Sequence, residues 1–282
     1  MTSLSKKKVS ESGHWYTREG DQVGLIENSS KPGFRNPTVR DARKHNWGPG
    51  VTSVISMLNA PALSAWKVNR AIDAAVDLVQ FLPAEAHGNS EFITDEWRSR
   101  VHLAATEISR DSAKEGTNIH AAIEKAFCDE EFDEFYRPHV TAVHDLVNEH
   151  CKEALELHPW MPEQGVSHPL GYGTKSDLHS GGFVLDFKSK DGDQAKLDDA
   201  RTYDYHWMQL AATRAALERS MEIPFHSQKC GIIFVSRNHP GACAFKEVSD
   251  EELFKGWKLF TSLLTVWQVK NNHTPAWGGE PA

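Results

Sequence analysis

The element of the sequence that decides the fold is GTKSDLHSGGFVLDFK, residues 173–188. It contains two β-rich segments separated by Gly181-Gly182, a favourable two-residue hairpin loop. The predicted register pairs are Ser180–Phe183, His179–Val184, Leu178–Leu185 and Asp177–Asp186. Residues directly opposite each other on one face of such a pair have Cβ atoms about 5 Å apart. The sequence therefore predicts a hairpin that holds two carboxylates side by side.

The two aspartates need a partner for their charge. Like charges placed opposite each other repel, and the apolar run 183–185 indicates a buried strand, where an unpartnered charge is costly. A divalent cation between Asp177 and Asp186 resolves the conflict, and paired carboxylates without thiolates suit Mg²⁺ or Mn²⁺. Lys188 projects from the same face as Asp186 and could orient or deprotonate a water molecule. The alternative is a solvent-exposed edge hairpin with scattered charge.

Two helical segments supply further candidate side chains. His120 and Glu124 lie four residues apart on a predicted helix and share one face, although a surface contact is the commoner role of such a pair. Gln209 lies on a helix predicted from about Asp198 to Glu218, directly after the hairpin. In isolation, an ordinary polar helix position explains Gln209 equally well.

Elsewhere the pattern changes from helical spacing to strand alternation. Apolar residues at helical spacing predict helices over 51–58, 61–83, 94–114, 117–128, 133–157 and 198–218, with a final helix capped by Ser249. Period-two segments predict strands over 166–170, 173–179, 183–188, 231–236 and 242–247. The predicted fold class is α+β or mixed α/β, with a small central sheet among helices and a helical N-terminal half.

Composition divides the chain into three predicted regions. Residues 1–46 are polar and interrupted by Gly and Pro, which indicates a tail or an irregular arm. Residues 47–271 are predicted to form one domain, with 47–115 as its helical N-terminal part. Residues 272–282 are predicted to be a C-terminal tail.

Charge and composition exclude some classes of protein. The net charge of −8 argues against a general nucleic-acid coat protein, but allows an enzyme with a locally basic groove. No apolar run approaches the ~18 residues of a membrane span, and no apolar segment follows Lys6-Lys7-Lys8, so no secretory signal is expected. The four cysteines lack CxxC spacing and the 15 histidines lack ligand spacing, which disfavours structural zinc and disulfides. We therefore expect a reducing, cytoplasmic location.

In their order along the chain, these motifs resemble the RecB-like branch of the PD-(D/E)XK nucleases. The family pattern is a G-T-x-x-H-x-x-x-E helix, a strand with glycine and aspartate, a hydrophobic D-x-K strand and a Y-x-x-x-Q-L-A helix. The matching residues are Gly116-Thr117, His120, Glu124, Gly173, Asp177, Leu185-Asp186-Phe187-Lys188, Tyr205 and Gln209-Leu210-Ala211. Residues 50–66 also look like the N-terminal helical part of phage-encoded exonucleases and the mitochondrial genome maintenance exonuclease. The resemblance covers about residues 50 to 235.

The resemblance implies a restriction-endonuclease-like sheet and a role for each matching residue. The implied metal ligands are His120, Asp177, Asp186 and the carbonyl of Phe187, and Lys188 is the implied catalytic lysine. The residues implied to support the site or contact DNA are Glu124, Glu163, Gln209 and Tyr205. Trp66 is a candidate for stacking on a base, with a buried core position as the alternative.

Two departures from the family pattern are visible. Thr213 stands where the family often has a tyrosine after the glutamine, so a helper contact is expected to be weaker. Some relatives carry an iron–sulfur cluster held by cysteines that flank the nuclease core. This chain has no closely spaced C-terminal cysteine trio, so no iron–sulfur cluster is expected.

The activity implied by the resemblance is that of a Mg²⁺- or Mn²⁺-dependent DNA exonuclease. Its expected setting is DNA recombination, repair or replication in a phage or bacterium, with DNA and a recombination or replication protein as partners and no membrane. The alternatives are a structure-selective endonuclease on the same fold and a DNA-binding module without catalysis. Side chains expected to line a basic groove are Lys67, Arg70, Lys175, Lys188, Lys190, Lys196, Arg201 and Arg214.

Overall fold

The structure is a computed structural model that describes residues 14–28, 32–58, 61–82, 93–151, 160–221 and 228–278. Contacts divide the chain into two compact units, of which the first is Met1–Met57 with His120–Ala282 and the second is Leu58–Ile119. The first unit contains a mixed sheet with helices packed against it. The predicted fold class is therefore confirmed, whereas the predicted domain bounds stay a prediction.

Helices and strands follow one another in groups along the chain. The helices of the described ranges are α1 (Val39–His45), α2 (Val51–Ile55), α3 (Pro61–Val79), α4 (Asp95–Phe127), α5 (Arg137–His150), α6 (Gln194–Asp198), α7 (Asp204–Ser220) and α8 (Asp250–Asn271). The strands are β1 (Trp15–Tyr16), β2 (Gln22–Val23), β3 (Ile26–Glu27), β4 (Phe34–Arg35), β5 (Gly48–Pro49), β6 (Met161–Pro162), β7 (Gly165–His168), β8 (Tyr172–Lys175), β9 (Leu178–His179), β10 (Phe183–Lys190), β11 (Lys229–Ser236) and β12 (Cys243–Val248). None of these described helices is long and apolar enough to cross a membrane.

The central sheet has the strand order β12-β11-β10-β9-β6. β10 and β11 are parallel, and the other neighbouring strands are antiparallel. Parallel neighbours need a crossover connection, and here that connection contains α6 and α7. Because α7 packs back against β10 and β11, side chains of α7 come beside the middle of the sheet.

The predicted hairpin register is confirmed. Leu178 pairs with Leu185 and His179 with Val184, and the N–H of Ser180 donates to the carbonyl of Phe183 at 2.8 Å. The predicted strand over 173–179, however, is interrupted at 176–177, and its first part pairs with β7 instead. The interruption has a local cause, because the Phe187 N–H donates to the side chain of Asp177 at 2.7 Å rather than to a backbone carbonyl of the neighbouring strand.

Three of the predicted helices have different bounds in the structure. The helix predicted over 133–157 runs from Arg137 to His150, and residues 152–157 of that prediction lie outside the described residues. A break at Gly116-Thr117 was expected, but α4 continues through it from Asp95 to Phe127. The Thr117 hydroxyl donates to the Ala113 carbonyl at 2.9 Å, which lets a polar residue stay within the helix, and one glycine weakens a long helix by only about 1 kcal/mol. The helix predicted over 198–218 is divided into α6 and α7 by the loop 199–203.

Part of the region predicted as an arm belongs to the core of the first unit. Trp15 and Tyr16 are buried, and their strand β1 pairs with both β2 and β5. Gly173 of β8 lies directly under this strand, because a Cβ at that position would be 2.3 Å from the Cβ of Tyr16. A packing requirement therefore accounts for this glycine of the motif.

Candidate active site

The middle strand of the central sheet carries the central residues of the candidate site. Asp186 and Lys188 project from the same face of β10, because side chains alternate along a strand. Asp186 is only 6% exposed, and Lys188 is half-buried. Gln209 reaches the same point from α7, the crossover helix that packs against β10. The topology therefore brings a carboxylate, an ammonium and an amide together.

These three side chains form a closed set of hydrogen bonds. Gln209 Nε2 donates to Asp186 Oδ1 at 2.7 Å. Lys188 Nζ lies 2.7 Å from Asp186 Oδ2 and donates to Gln209 Oε1 at 3.1 Å. Each side chain contacts the other two, so the positions of the lysine amine and of the carboxylate are fixed together.

Asp177 lies beside this set, held by the backbone of β10. Its Oδ2 accepts a hydrogen bond from the Phe187 N–H at 2.7 Å. The carboxyl groups of Asp177 and Asp186 are also close enough to hydrogen-bond to each other. The sequence-based placement of two adjacent carboxylates thus agrees with the geometry of the structure.

Burial and mutual repulsion shape the charges of the site. The pKa of Asp186 is raised to about 6, mainly by burial, against the opposing charge of Lys188 and with a smaller contribution from the charge of Asp177. Burial also raises the pKa of Asp177, against the charge of Lys188 and the Phe187 N–H. Burial disfavours the ammonium of Lys188, but the two aspartates outweigh this effect and raise its pKa. Lys188 is therefore a cation near neutral pH, and so a hydrogen-bond donor.

His120 approaches the same strand from α4. Its ring packs edge-on against the ring of Phe187, with centroids 5.9 Å apart and planes at 84°. It is also close enough to Asp186 to lower the pKa of that carboxyl group. His120 is thus a neighbour of the carboxylates, and its role as a metal ligand stays a prediction.

The structure places the other predicted residues at different distances from the carboxylates. Tyr205 lies near Lys188 and Asp186, since both charges act on the pKa of its hydroxyl. Glu163 forms an ion pair with Lys175, and its backbone N–H donates to the carbonyl of Asp177 at 3.2 Å.

Glu124 and Trp66 are not brought to the carboxylate pair by any described contact. The Glu124 carboxylate acts on the pKa of the Cys128 thiol, at the end of α4. Trp66 belongs to α3 in the second unit, and its side chain is outside the described residues. The predicted roles of both residues stay predictions.

The donor set of the site fits a hard divalent cation. Within the described ranges, no three His, Cys, Asp or Glu side chains are grouped so that they could hold a metal ion. Magnesium, however, is usually held by one or two carboxylates, with water and substrate phosphates completing its shell. Asp177 and Asp186 supply two such carboxylates without a thiolate nearby, so Mg²⁺ or Mn²⁺ fits them.

The structure corrects part of the predicted basic groove. Arg214 is buried and ion-paired with Asp250 at 3.3 Å, so it lies in the core. Arg70 pairs with Asp73 in the second unit, and Lys175 pairs with Glu163. Pairing between lysine or arginine and a carboxylate can be proposed from sequence only when the two residues are close along a helix.

Sequence analysis missed Tyr203, which stacks on Tyr205 beside the site. The signal was the Tyr-Asp-Tyr-His sequence over 203–206, directly before the helix that carries Gln209. Sequence analysis also missed His206, which belongs to the same four-residue sequence and packs against both tyrosines.

Comparison with known proteins gives a weak similarity of fold. No family model matches the chain, and no curated protein matches it. Among solved structures, a crystal structure from Eubacterium rectale described as "Putative exonuclease" matches with a TM-score of 0.36 and 11% identity. The match covers 56% of this chain and 68% of that chain.

Proposed function

We propose that this chain is a metal-dependent DNA exonuclease of the RecB-like branch of the PD-(D/E)XK superfamily. The observation that carries the proposal is the adjacent carboxylates of the half-buried Asp177 and the buried Asp186, with Lys188 bonded to Asp186 and Gln209 bonded to both Lys188 and Asp186. A structural ion pair needs only one carboxylate. Here two adjacent carboxylates both have pKa values that are raised by burial. Perturbed carboxylates of this kind are typical of functional sites.

In the proposed mechanism, Asp177 and Asp186 would hold Mg²⁺ or Mn²⁺. When bound, the cation would offset the negative charge of the phosphate and favour ionisation of a water molecule. Lys188 is protonated near neutral pH, so it acts as a cation and hydrogen-bond donor toward the phosphate or the attacking water.

Gln209 is proposed to be a positioning residue. Its amide group donates to Asp186 and accepts from Lys188, so it fixes the orientation of both. Partners of this kind hold catalytic groups in a productive arrangement before substrate binds. Gln209 itself needs no contact with the substrate.

The proposed setting follows from the substrate. DNA is the partner, together with a recombination or replication protein, and the activity belongs to recombination, repair or replication in a bacterium or a phage-infected cell. The location is then the cytoplasm, and the cofactor is Mg²⁺ or Mn²⁺ without an iron–sulfur cluster. An endonuclease on the same fold would use the same carboxylates, so the first experiment must separate the two modes of cleavage.

The test is degradation of 5′- and 3′-end-labelled linear DNA, single- and double-stranded, with Mg²⁺, Mn²⁺ or EDTA. Asp186→Asn removes one carboxylate charge with little change of shape, so cleavage should fall at least a hundredfold. Asp145→Asn, at an exposed position of α5, is the matched control and should cleave normally. A closed circular substrate separates exonuclease from endonuclease. Failure of the folded protein to cut any of these with either metal would reject the nuclease proposal.

A further inference from the structure

Two tyrosines form an exposed, stacked pair next to the carboxylates. Tyr203 and Tyr205 are 46% and 42% exposed, and their rings lie 5.7 Å apart with planes at 13°. Tyr205 is close enough to Lys188 and Asp186 for both charges to act on its hydroxyl. Aromatic rings are usually covered by protein, so an exposed pair beside a reactive site is a surface on which a ligand can stack.

A buried histidine holds this pair in place. His206 is 4% exposed, its ring centroid lies 4.0 Å from that of Tyr205, and its Nδ1 accepts from the Tyr203 N–H at 3.2 Å. The ring of Phe234 contacts His206 from the sheet, with centroids 6.0 Å apart. Burial lowers the pKa of His206 to about 3, so it stays a neutral acceptor near pH 7. The tyrosines are therefore positioned before any ligand binds, which reduces the entropy lost on binding.

Positive charge lies beside the aromatic pair. Lys190 follows Lys188 on the same face of β10, and its amine lies 5.2 Å from the centroid of the Phe234 ring, the ring that supports His206. Burial, and then the charge of Lys196, lowers the pKa of Lys190. Lys190 and Lys196 repel each other, and no salt bridge of either lysine is found within the described residues. An anionic ligand would offset this repulsion.

We propose that Tyr203 and Tyr205 form a stacking platform for the bases of an unpaired DNA strand, with Lys190 binding a phosphate of that strand. Single-stranded nucleic acid is bound by aromatic rings and positive charge in combination, and bases within a duplex do not offer their faces to a protein. The proposal rests on the proposed function and deepens it, because it assigns single-stranded DNA as the substrate class.

The test is binding in EDTA, where no metal-dependent cleavage occurs. A fluorescently labelled oligothymidine strand, an abasic strand of equal length and a duplex are titrated with the protein by anisotropy. Tyr203→Ala and Tyr205→Ala should each weaken binding of the oligothymidine about tenfold, and Tyr205→Phe, which keeps the ring, should bind like wild type. Phe254→Ala removes a 55% exposed ring on α8 and is the matched control, with no effect expected.

Charge and stacking are separated by the abasic strand and by salt. The abasic strand should bind more weakly than oligothymidine and should not respond to either tyrosine substitution. Lys190→Gln should reduce the slope of log K against log salt by about 0.7, the value for one phosphate contact on a single strand. Thermal unfolding of each variant, monitored by circular dichroism, verifies that the chain is folded.

The outcomes distinguish this proposal from the nuclease proposal. Folded alanine variants that bind oligothymidine as tightly as wild type would overturn the platform, whether or not the protein cuts DNA. Equal affinity for normal and abasic strands, or tighter binding of duplex than of single strand, would also overturn it. If the protein binds oligothymidine through the tyrosines but cuts no DNA, the stacking platform is supported and only the nuclease proposal is rejected.

Discussion

Among individual side chains, Asp186 is the residue at which the hydrogen bonds of the site meet. One of its oxygens accepts from Gln209 and the other contacts Lys188. Removing one partner of a buried, hydrogen-bonded charge leaves the other without compensation. The three side chains are therefore expected to act as a unit, and substitutions within the unit are expected to be non-additive.

The first prediction concerns the amide of Gln209. Gln209→Leu removes the bonds to Asp186 and Lys188 but leaves both charged groups, so DNA cleavage and Mg²⁺ affinity should each fall about 10–100-fold. Steady-state kinetics should show the loss mainly in kcat. Gln194, at an exposed position of α6, donates from its side-chain amide to the Cys243 carbonyl at 2.8 Å. Gln194→Leu therefore tests whether loss of any hydrogen-bonded amide would do the same. Equal losses in both variants would contradict the positioning role.

The second prediction concerns a buried histidine away from the site. His168 stacks on Tyr172, with centroids 5.0 Å apart, and burial, with a smaller effect of Arg219, lowers its pKa to about 4. Between about pH 4 and 6.5 the unfolded chain binds a proton that the folded chain does not, so this group makes the free energy of unfolding rise with pH. Its stabilisation is complete above pH 6.5 and is lost as the pH falls toward 4.

His168→Asn keeps a polar acceptor but cannot titrate, so the slope of unfolding free energy against pH should drop by about 1.4 kcal/mol per pH unit in that window. The measurement is urea unfolding at a series of pH values. His102→Asn, at an exposed position of α4, should leave the slope unchanged. An unchanged slope in His168→Asn would show that folding does not lower the pKa of this histidine, and would contradict the prediction.

At the level of helices and strands, α7 connects the site to the core. It carries Tyr205 and Gln209 near its start, and the residues that follow are buried on nearly all sides of the helix. It packs closely on α8, because a Cβ at Gly256 would lie 2.5 Å from the backbone carbonyl of Trp207. The spacing of these two helices therefore determines where Gln209 stands relative to β10.

The third prediction tests this close approach. Gly256→Ala adds a methyl group against backbone that cannot rotate away, so it should destabilise the protein by about 1–3 kcal/mol although alanine favours helix. Ser262→Ala, at an exposed position of the same helix, should be neutral or slightly stabilising. Thermal or urea unfolding measures both. A stabilising effect of Gly256→Ala would show that α7 and α8 are further apart.

For the molecule as a whole, the crossover between β10 and β11 assembles the site. It returns the chain so that Gln209 lies beside Asp186, while α4 brings His120 to the same strand. A ligand that binds only the folded chain raises the stability of the entire cooperative unit. Metal binding should therefore be measurable by unfolding, without any DNA.

The fourth prediction concerns metal and stability. Mg²⁺ or Mn²⁺ at a hundred times its Kd should stabilise the wild type by about 2.7 kcal/mol, and Asp177→Asn should remove most of this gain. Lys188→Met removes an ammonium that lies 2.7 Å from Asp186, so it should keep the gain and bind metal more tightly. Thermal unfolding with and without metal measures all three proteins. Equal metal stabilisation of Asp177→Asn and wild type would place the metal elsewhere.

The hairpin and its paired aspartates could be predicted from the sequence because they depend on local chemistry. A Gly-Gly loop sets the register of the strands that flank it, and the register places Asp177 beside Asp186. The capping box of Ser249 and Glu252 likewise marked the start of α8, as the structure confirms. Short-range rules were sufficient for these features.

Other features depended on contacts between residues far apart in the chain. The burial of Trp15 against Trp267, with ring centroids 5.8 Å apart, has no local signal, and Gly116 looked like a helix break although α4 continues through it. The bonds of Gln209 to Asp186 and Lys188 require the crossover to be in place. Side-chain chemistry is written in the sequence, whereas the meeting of distant side chains is set by packing of the whole chain, and propensity yields to that packing.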